Sequence, residues 1–565
     1  MFPESALPNV FRSPTKCYYL LVVIRKIKCD EARPDCQRCI GTGRKCDGYG
    51  DTDSVTQQTL IIRERPPITR ALSNDLGTEL SCPAFDYYRD HVSHQVGDTV
   101  DSDFWGDLVL RLAPTDPAIR HAISAISLIP AILEYNKAIL AVRSWPLATV
   151  SRVKPLLVCL LFVCIEFMLG DEHQNAAKMH ILQGRRLLAN IKDRKTPEID
   201  IIRQYLAPIY LRLAYVGNDR VDFPTHLLQM TTTPLKFASL ADARCVLYYL
   251  VDIGFTLIYN VKSYRSNGIS ETPDTQGDAL QSRYKHIAHE LANWRHAFEA
   301  YLAFSDLDAP DTRTAKLLTQ RHCLMIVFLD SMVLGSDYVC DRNSLCEFSI
   351  AADCATFTIE YDNEIMQGPS FTFESEVVVP VYWIAAKCRQ PAIRRRALEI
   401  LYEREKTNRV ESLTMIKHTI AMAKRIIEIE EEGLDIPHDT RPMQDYPNKY
   451  EVVSRKESSE WAEGFLTDQK EQWPVLWDLG SHCSNIPTKL TRIAAATEQK
   501  ELAEGLAKGW PRERLVWPYG ITRERRVLSI VVKRHTADDL WLEYVREPLT
   551  GGGDYRVMKE HIRFR

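Results

Sequence analysis

Four cysteines lie within eighteen residues near the start of the chain, in the spacing C-x6-C-x2-C-x6-C; they are Cys29, Cys36, Cys39 and Cys46. A C-x2-C pair lets two thiolates bind one metal ion across a tight turn, and four thiolates complete the tetrahedral shell that Zn²⁺ prefers. The alternative is four unligated thiols in a loop-rich segment. The density of the cysteines and the glycines between them favour a zinc site.

The cysteine-rich segment is also strongly basic. Between Arg25 and Cys46 there are seven lysines and arginines against three acids, whereas the whole chain has a net charge of −4. A local excess of positive charge in an acidic protein attracts a polyanion. A solvated basic face or a nuclear-import signal is the alternative interpretation of these charges.

Composition places the chain among soluble globular proteins with several domains, since 45% of its 565 residues are apolar and 26% are charged. The longest apolar run, "PLLVCLLFVCIEFML", contains Glu166 and is shorter than the roughly 18 to 20 residues that a membrane-spanning helix needs. We therefore expect a buried helix there, with Cys159 and Cys164 in the core, and no membrane partner. The chain shows no secretory signal, so its fifteen cysteines indicate a reducing compartment.

The chain divides by composition into four parts. Residues 1–50 are basic and rich in cysteine, and residues 51–80 are polar with two adjacent prolines, which is typical of a linker. Residues 81–435 carry helical periodicity. Residues 436–565 are rich in tryptophan and charge, and we expect further helices there, packed on the same body. The predicted fold class is mostly α, with a small N-terminal module before a large all-helical domain.

Local signals support this prediction. Pro117 follows Asp116 at a plausible helix start, and "LLVCLLFVCIEFMLGDEHQNAAKMHILQGRRLL" predicts two helices joined at Gly170 and Asp171, an αα-hairpin. A helical stripe in "LTMIKHTIAMAKRIIEIEEEG" ends at Gly433. Only "EVVVPVYWI" and "RRVLSIVVKRH" are β-branched runs typical of strands.

The stretch "RKIKCDEARPDCQRCIGTGRKC" resembles the second two-thirds of the fungal zinc-binuclear-cluster domain, a six-cysteine DNA-binding module. "RKIKC" is similar to the basic end of that domain's first half, and "CQRCIGTGRKC" is similar to its second half. Pro34 falls in the loop two residues before the domain's fourth cysteine, as in the family. The resemblance covers about 25 residues and implies zinc binding and DNA recognition.

The resemblance also implies a ligand set of six thiolates holding two zinc ions. The third to sixth ligands are then Cys29, Cys36, Cys39 and Cys46. Cys36 is one of the bridging thiolates. The first and second ligands belong at positions 19 and 22, where this chain has Tyr19 and Val22; Cys17, the one thiol upstream, stands two residues too early.

Three explanations of this departure compete. The N-terminal sequence can be a faulty gene model with a misplaced splice junction; the site can be degenerate and hold one zinc ion on four of its five thiolates; or the chain can have lost zinc and DNA binding. Every residue after Ile24 fits the family and the residues before it do not. That pattern favours the first explanation.

In the resembled family, the basic residues before the third cysteine lie on a short helix that enters the major groove. Arg25, Lys26 and Lys28 occupy those places, and Lys26 aligns with a residue that contacts base edges, which implies CGG-like triplets. The residues that would mainly contact phosphates are Lys28, Arg38, Arg44 and Lys45. Residues 51–80 show no sustained heptad pattern, so no coiled coil is predicted and the oligomeric state stays open.

The rest of the chain is similar to the regulatory region of the same family, in phrases such as "AAKCRQPAIRRRALEIL". The resemblance implies a nuclear, sequence-specific transcription regulator that binds double-stranded DNA and contacts the transcription machinery, with a biosynthetic gene cluster as a candidate target. The alternative is a helical scaffold that has lost DNA binding through its degenerate cluster.

We predict no enzymatic activity, because the chain lacks the nucleotide-binding, hydrolase and metalloprotease motifs sought in it. His173 and His180 can share a helical face, but two imidazoles without a third ligand indicate surface residues. Asp538 and Asp539, followed by apolar and aromatic residues, are typical either of an amphipathic helix or of an acidic activation segment.

Overall fold

The structure is a computed structural model of the chain. It describes residues 83–93, 101–127, 131–145, 151–169, 174–192, 195–213, 222–228, 236–266, 275–334, 344–365, 370–372, 376–407, 409–411, 416–434, 441–447, 449–458, 525–536, 538–546 and 556–565. The chain divides into two units, and the fold below is that of the unit formed by Pro83–Ala138 and Ser151–Arg565, together with residues 139–145, which belong to the other unit.

Helices make up most of the described residues, which confirms the mostly α fold class. They are α1 Pro83–Tyr87, α2 Val109–Leu112, α3 Pro117–Ser127, α4 Ala131–Arg143, α5 Val153–Leu169, α6 Gln174–Ala189, α7 Pro197–Ile201, α8 Ala207–Arg212, α9 Leu240–Ser266, α10 Thr275–Phe304, α11 Ala309–Leu334, α12 Leu345–Ile365, α13 Val378–Lys387, α14 Pro391–Lys406 and α15 Ile416–Glu431. The strands are β1 Ser370–Thr372, β2 Arg409–Glu411, β3 Tyr450–Ser458, β4 Val527–His535, β5 Asp539–Arg546 and β6 Arg556–Phe564. Within this described part, no helix combines the length and the apolar character needed to cross a bilayer.

Helix α3 begins where the sequence predicts. Pro117 occupies its first position, where a missing N–H costs nothing, and a carboxylate oxygen of Asp116 accepts the backbone N–H of Ala118 at 2.9 Å. The predicted apolar stripe is buried, with Ile119 and Ile123 fully inaccessible to solvent.

Helices α5 and α6 pack against each other, which confirms the predicted αα-hairpin. The apolar run is a core helix, since α5 is buried along most of its length. Gly184 of α6 lies against the ring of Tyr210, and a Cβ built there would be 2.1 Å from a ring carbon of that tyrosine. Only glycine therefore permits this close approach of α6 and α8.

The long helices α9, α10 and α11 share an aromatic cluster. Trp294 of α10 donates its indole N–H to the carbonyl of Ala243 at 2.9 Å, and its ring stacks on that of His322 with 5.0 Å between centroids. The Nε2 atom of His322 is 2.8 Å from the carbonyl oxygen of Leu291. These contacts join three helices around side chains that are almost fully buried.

The segment "EVVVPVYWI", considered as a strand, is mostly helix α13. Every residue from Val378 to Ala386 is buried, so the apolar run reflects burial on all sides, which periodicity cannot separate from a buried strand. Pro380 lies in the first turn, where its missing N–H breaks no helical hydrogen bond.

The prediction of helices in residues 436–565 is wrong for the described parts of that segment. Four strands form an antiparallel sheet in the order β3-β6-β5-β4. At the start of β5, the half-buried Asp539 and Trp541 alternate with the buried Leu540 and Leu542, which is the period-two pattern of a strand. Every residue from Leu542 to Arg546 is buried. The run "RRVLSIVVKRH" contains β4, as its β-branched residues indicate.

Within residues 81–435, the structure adds one feature to the predicted helices. Strands β1 and β2 pair in parallel, with Ser370 beside Arg409 and Thr372 beside Glu411. This short pair is the only β structure among the described residues of that part.

Candidate functional site

The residues predicted to bind zinc and DNA lie outside the described residues. They are Cys17, Cys29, Cys36, Cys39, Cys46, Arg25, Lys26, Lys28, Arg38, Arg44 and Lys45. Their roles therefore stay predictions, and the described part can test only whether a competing site exists elsewhere.

The described cysteines offer no second metal centre. Cys164 is buried, as predicted, and Cys159 on the same helix is partly exposed. Burial raises the pKa of Cys323 to about 12, so this thiol stays protonated at neutral pH and is a poor metal ligand. Among the described residues, no group of three or more histidine, cysteine, aspartate or glutamate side chains could hold a metal ion.

His180 is not a surface residue, contrary to the prediction. Its Nε2 atom lies 3.2 Å from the hydroxyl oxygen of Tyr135, which also donates a hydrogen bond to Glu166. The ring of Phe162 packs edge-on against both His180 and Tyr135. His173 lies outside the described residues. The buried group ties α4, α5 and α6 together and leaves His180 without access to an ion in solvent.

Asp538 and Asp539 are not on an amphipathic helix. Asp539 begins β5 and accepts a hydrogen bond from His561 of β6 at 2.8 Å. Tyr544 of the same strand is buried and lies 3.2 Å from Glu560. An acidic activation segment needs its aromatic residues available to a partner, and β5 instead places this one in the core.

One buried charge network connects α11, α12 and α14. Asp362 accepts hydrogen bonds from Arg313 at 2.8 Å and from Arg404 at 3.0 Å, and Arg313 also donates to Glu376 at 2.6 Å. All four side chains are at least nine-tenths buried. Each charge has an opposite partner, so the network joins these helices in defined positions.

A second network connects α14, α15 and β4. The Glu430 carboxylate accepts a hydrogen bond from the Arg394 guanidinium at 2.7 Å and another from the backbone N–H of Val527 at 2.8 Å. The Arg389 guanidinium lies 3.3 Å from the same carboxylate. Periodicity does not reveal this network, because its residues are charged. The sequence signal that indicates it is the pairing of the runs "RRR" and "EEE" on neighbouring helices.

A cavity of about 910 Å³ opens beside this second network, between α15 and β3. Its wall contains charged side chains of both signs together with Tyr450, Ile429 and Val452. The cavity is large enough for a small organic molecule. Sequence reasoning missed it because β3 was assigned to a helix.

The N-terminal thiols fit one zinc ion but not the pair that the resemblance implies. Four cysteines match the four-coordinate shell of a structural zinc site, whereas two ions need six thiolates and residues 1–54 contain five. Zinc bound to Cys29, Cys36, Cys39 and Cys46 would supply a rigid thiolate-held turn next to the basic residues.

Comparison with known proteins identifies this module. Residues 24–54 match the fungal Zn(2)-Cys(6) binuclear cluster domain, a zinc-binding domain, which confirms the resemblance. The match begins at Ile24, after the positions where the first two cysteines are missing.

Two curated proteins that match parts of this chain are fungal transcription regulators. The transcription regulator lscL of Purpureocillium lilacinum is 29% identical over 206 residues, which cover 31% of this chain and 49% of that protein. The aspercryptin biosynthesis cluster-specific transcription regulator atnN of Emericella nidulans is 26% identical over 337 residues, covering 50% of this chain and 53% of that protein. The chain thus spans about half the length of the curated relatives it matches. No solved structure matches the chain.

Proposed function

We propose that this protein is a zinc-dependent, sequence-specific DNA-binding transcription regulator that acts in the nucleus and controls a biosynthetic gene cluster. The observation that carries the proposal is the zinc-cluster match over residues 24–54, which coincides with the basic window. The name of one relative supports the choice of target genes. The transcription machinery is the partner that this activity requires.

The proposed division of labour separates base reading from phosphate binding. Arg25 and Lys26 lie on the helix that enters the major groove, Lys26 contacts base edges there, and CGG-like triplets are the proposed target because guanine offers two acceptors. Lys28, Arg38 and Arg44, with Lys45 beside them, contact phosphates, so they supply affinity that falls with salt.

The helical body provides the regulatory part of the proposed protein. Buried ion pairs such as Arg313 with Asp362 and Arg394 with Glu430 give its helices defined positions. A body of this kind can carry a regulatory input and a surface for protein partners.

Fluorescence anisotropy with the full-length protein tests DNA binding directly. A labelled duplex with CGG triplets and a scrambled duplex of equal length are titrated at several salt concentrations. Lys45→Ala removes one proposed phosphate contact. The plot of log K against log salt concentration should therefore become shallower by about 1 for both duplexes. Lys26→Ala should reduce the preference for the CGG duplex, by about 1–3 kcal/mol.

Two separate cysteine substitutions provide a matched comparison. Cys36→Ser should abolish DNA binding, because it removes a proposed zinc ligand, whereas Cys346→Ser removes an exposed thiol of α12 and should leave it unchanged. Equal effects of the two substitutions would contradict the proposal.

A helical scaffold without DNA binding is the second candidate, and the presence of Tyr19 and Val22 at the first two ligand positions favours it. The same titration separates the two. Equal, weak binding to both duplexes with no effect of Cys36→Ser would support the scaffold.

A further inference from the structure

The cavity between α15 and β3 is lined by four basic and four acidic side chains, but some of its hydrogen-bond donors have no close acceptor among the described residues. Two of its arginines are already paired: Arg395 donates to Glu431, and Arg425 donates to Glu428 and Glu560. These pairs consume the carboxylates nearest to them. The remaining donors decide which ligand fits.

The first remaining donor is the hydroxyl of Tyr450. The tyrosine is 5% exposed, and no described residue lies within hydrogen-bond distance of its hydroxyl oxygen. Burial raises its pKa, so the hydroxyl keeps its proton and can donate it. A buried hydroxyl without a partner is costly, by about the desolvation penalty of 1–3 kcal/mol for a polar group.

The second remaining donor is the ammonium of Lys424. Its side chain is 4% exposed, and the only carboxylate oxygen within 4 Å among the described residues is Oε1 of Glu428, at 3.7 Å. The ammonium lies 5.5 Å from the centroid of the Tyr450 ring, so the two donors are neighbours. Burial lowers the pKa of Lys424, an effect that Glu428 opposes only in part. Among the described carboxylates, the three N–H groups of the Lys424 ammonium thus have one oxygen atom nearby, and it lies at 3.7 Å.

Arg455 of β3 is the third donor, on the more exposed side of the cavity. Its Nε atom is 2.9 Å from the sulfur of Met558, a weak acceptor, and its nearest carboxylates, Glu560 and Glu432, lie at 3.8 and 3.9 Å. The guanidinium thus makes no close carboxylate pair among the described residues.

The lining also contains apolar side chains, which include Ile429, Leu434, Pro442 and Met443. Pockets that bind small molecules combine such apolar surface with a few convergent polar groups. The arrangement suits a ligand with an anionic end and an apolar body.

We propose that this cavity binds a small organic anion, whose carboxylate or phenolate accepts hydrogen bonds from Lys424, Tyr450 and Arg455 while its apolar part packs against Ile429 and Leu434. The residues of this site lie in the helical body and the C-terminal sheet, and they include none of the predicted zinc or DNA contacts. The anion would give the Tyr450 hydroxyl an acceptor that the described residues do not supply, and it would give the Lys424 ammonium a closer one than Glu428.

Naphthalene-2-carboxylate is a suitable probe, and its amide and amidine are neutral and cationic analogues of nearly the same shape. Binding to the full-length protein is measured by isothermal titration calorimetry. We expect the carboxylate to bind with a Kd of ~1 mM or tighter. We expect the amide to bind at least ~10-fold more weakly, because it cannot form a charge-assisted pair with Lys424.

Two substitutions test the assigned donors. Tyr450→Phe should weaken carboxylate binding ~10-fold or more by removing a hydrogen bond to a charged acceptor, and Lys424→Met should weaken it ~10-fold or more by removing a charged donor. The matched controls are Tyr301→Phe and Lys406→Met, which lie outside the cavity lining and should leave Kd unchanged.

A thermal melt of the ligand-free protein distinguishes a ligand donor from a structural one. Tyr450→Phe should keep or raise Tm, because the hydroxyl has no described partner to lose. A lower Tm together with unchanged carboxylate affinity would overturn the proposal. Equal affinities for the carboxylate and the amide would also overturn it. So would tighter binding of the amidine than of the carboxylate, or a Kd for the carboxylate weaker than ~1 mM.

Discussion

The stability of the body should depend strongly on one buried carboxylate, Glu430. It is fully buried and accepts hydrogen bonds from the Arg394 guanidinium at 2.7 Å and from the Val527 N–H at 2.8 Å, with Arg389 at 3.3 Å. The perturbation is Glu430→Gln, which keeps the shape of the side chain and removes its charge. The change leaves two buried guanidinium groups with less compensation.

The magnitude follows from the neighbours that remain. Glu431 lies 3.4 Å from Arg394, but both of its carboxylate oxygens already accept hydrogen bonds from the terminal nitrogens of Arg395. It therefore does not replace the charge of Glu430 beside Arg394. Breaking one side of a buried ion pair costs about 3–5 kcal/mol, because the other charge stays buried without a partner. We therefore expect Glu430→Gln to lower the free energy of unfolding by about 3–5 kcal/mol.

Urea unfolding of the full-length protein, followed by far-UV circular dichroism, measures this change. Glu403→Gln is the matched control, because Glu403 pairs with Lys406 on the exposed side of α14; its loss should cost no more than ~0.5 kcal/mol. A loss below about 1 kcal/mol for Glu430→Gln, or a loss equal to the control, would show that the network does not stabilise the body in this way.

Two further substitutions probe the packing of α6. Burial lowers the pKa of His180 from 6.5 to about 4, although the charge of Glu166 opposes this shift. Protonation of His180 therefore favours the unfolded state. As the pH falls from 6.5 to about 4, this group should lower the free energy of unfolding by up to ~3 kcal/mol. His180→Gln should remove that part of the decline when unfolding is compared at pH values above and below the window, and parallel profiles for the two proteins would contradict the assignment. Gly184→Ala should lower the free energy of unfolding by about 1–3 kcal/mol, because the added methyl group meets the Tyr210 ring. At Gly106, an added methyl group meets no atom within 4 Å, so Gly106→Ala should be neutral or stabilising in the same unfolding experiment. Similar effects of the two substitutions would refute the close approach of α6 and α8.

Sequence reasoning succeeds where local chemistry decides the structure. The start of α3 follows from an aspartate cap and a proline whose missing N–H is harmless at that position. The end of α15 is followed by Gly433, whose φ of 71° is a left-handed conformation that glycine adopts without strain. The zinc-cluster match likewise rests on ligand types and spacing, which are directly visible in the sequence.

Sequence reasoning fails where tertiary burial decides. The segment that forms α13 has β-branched residues on every side because neighbouring elements surround it, and that pattern fits a buried strand equally well. The C-terminal strands carry charged residues such as Glu560, which is buried only because Arg425 of α15 reaches it. Pairing between residues 135 positions apart leaves no local signal.

The candidate sites divide in the same way. The proposed zinc ligands can be found from spacing alone, whereas the cavity beside Tyr450 exists only because β3 packs against α15. His180 illustrates the difference for a single residue: its helical face was predicted, but its burial depends on Tyr135 and Glu166 from two other helices.

The most direct test of the central claim is the zinc content of the purified full-length protein, measured by plasma mass spectrometry before and after treatment with a chelator, alongside its retention on a DNA column. Four clustered thiolates predict about one zinc ion per chain, and removal of the metal should abolish retention. A protein that carries no zinc, and whose retention on DNA is unchanged by the chelator, would contradict the account.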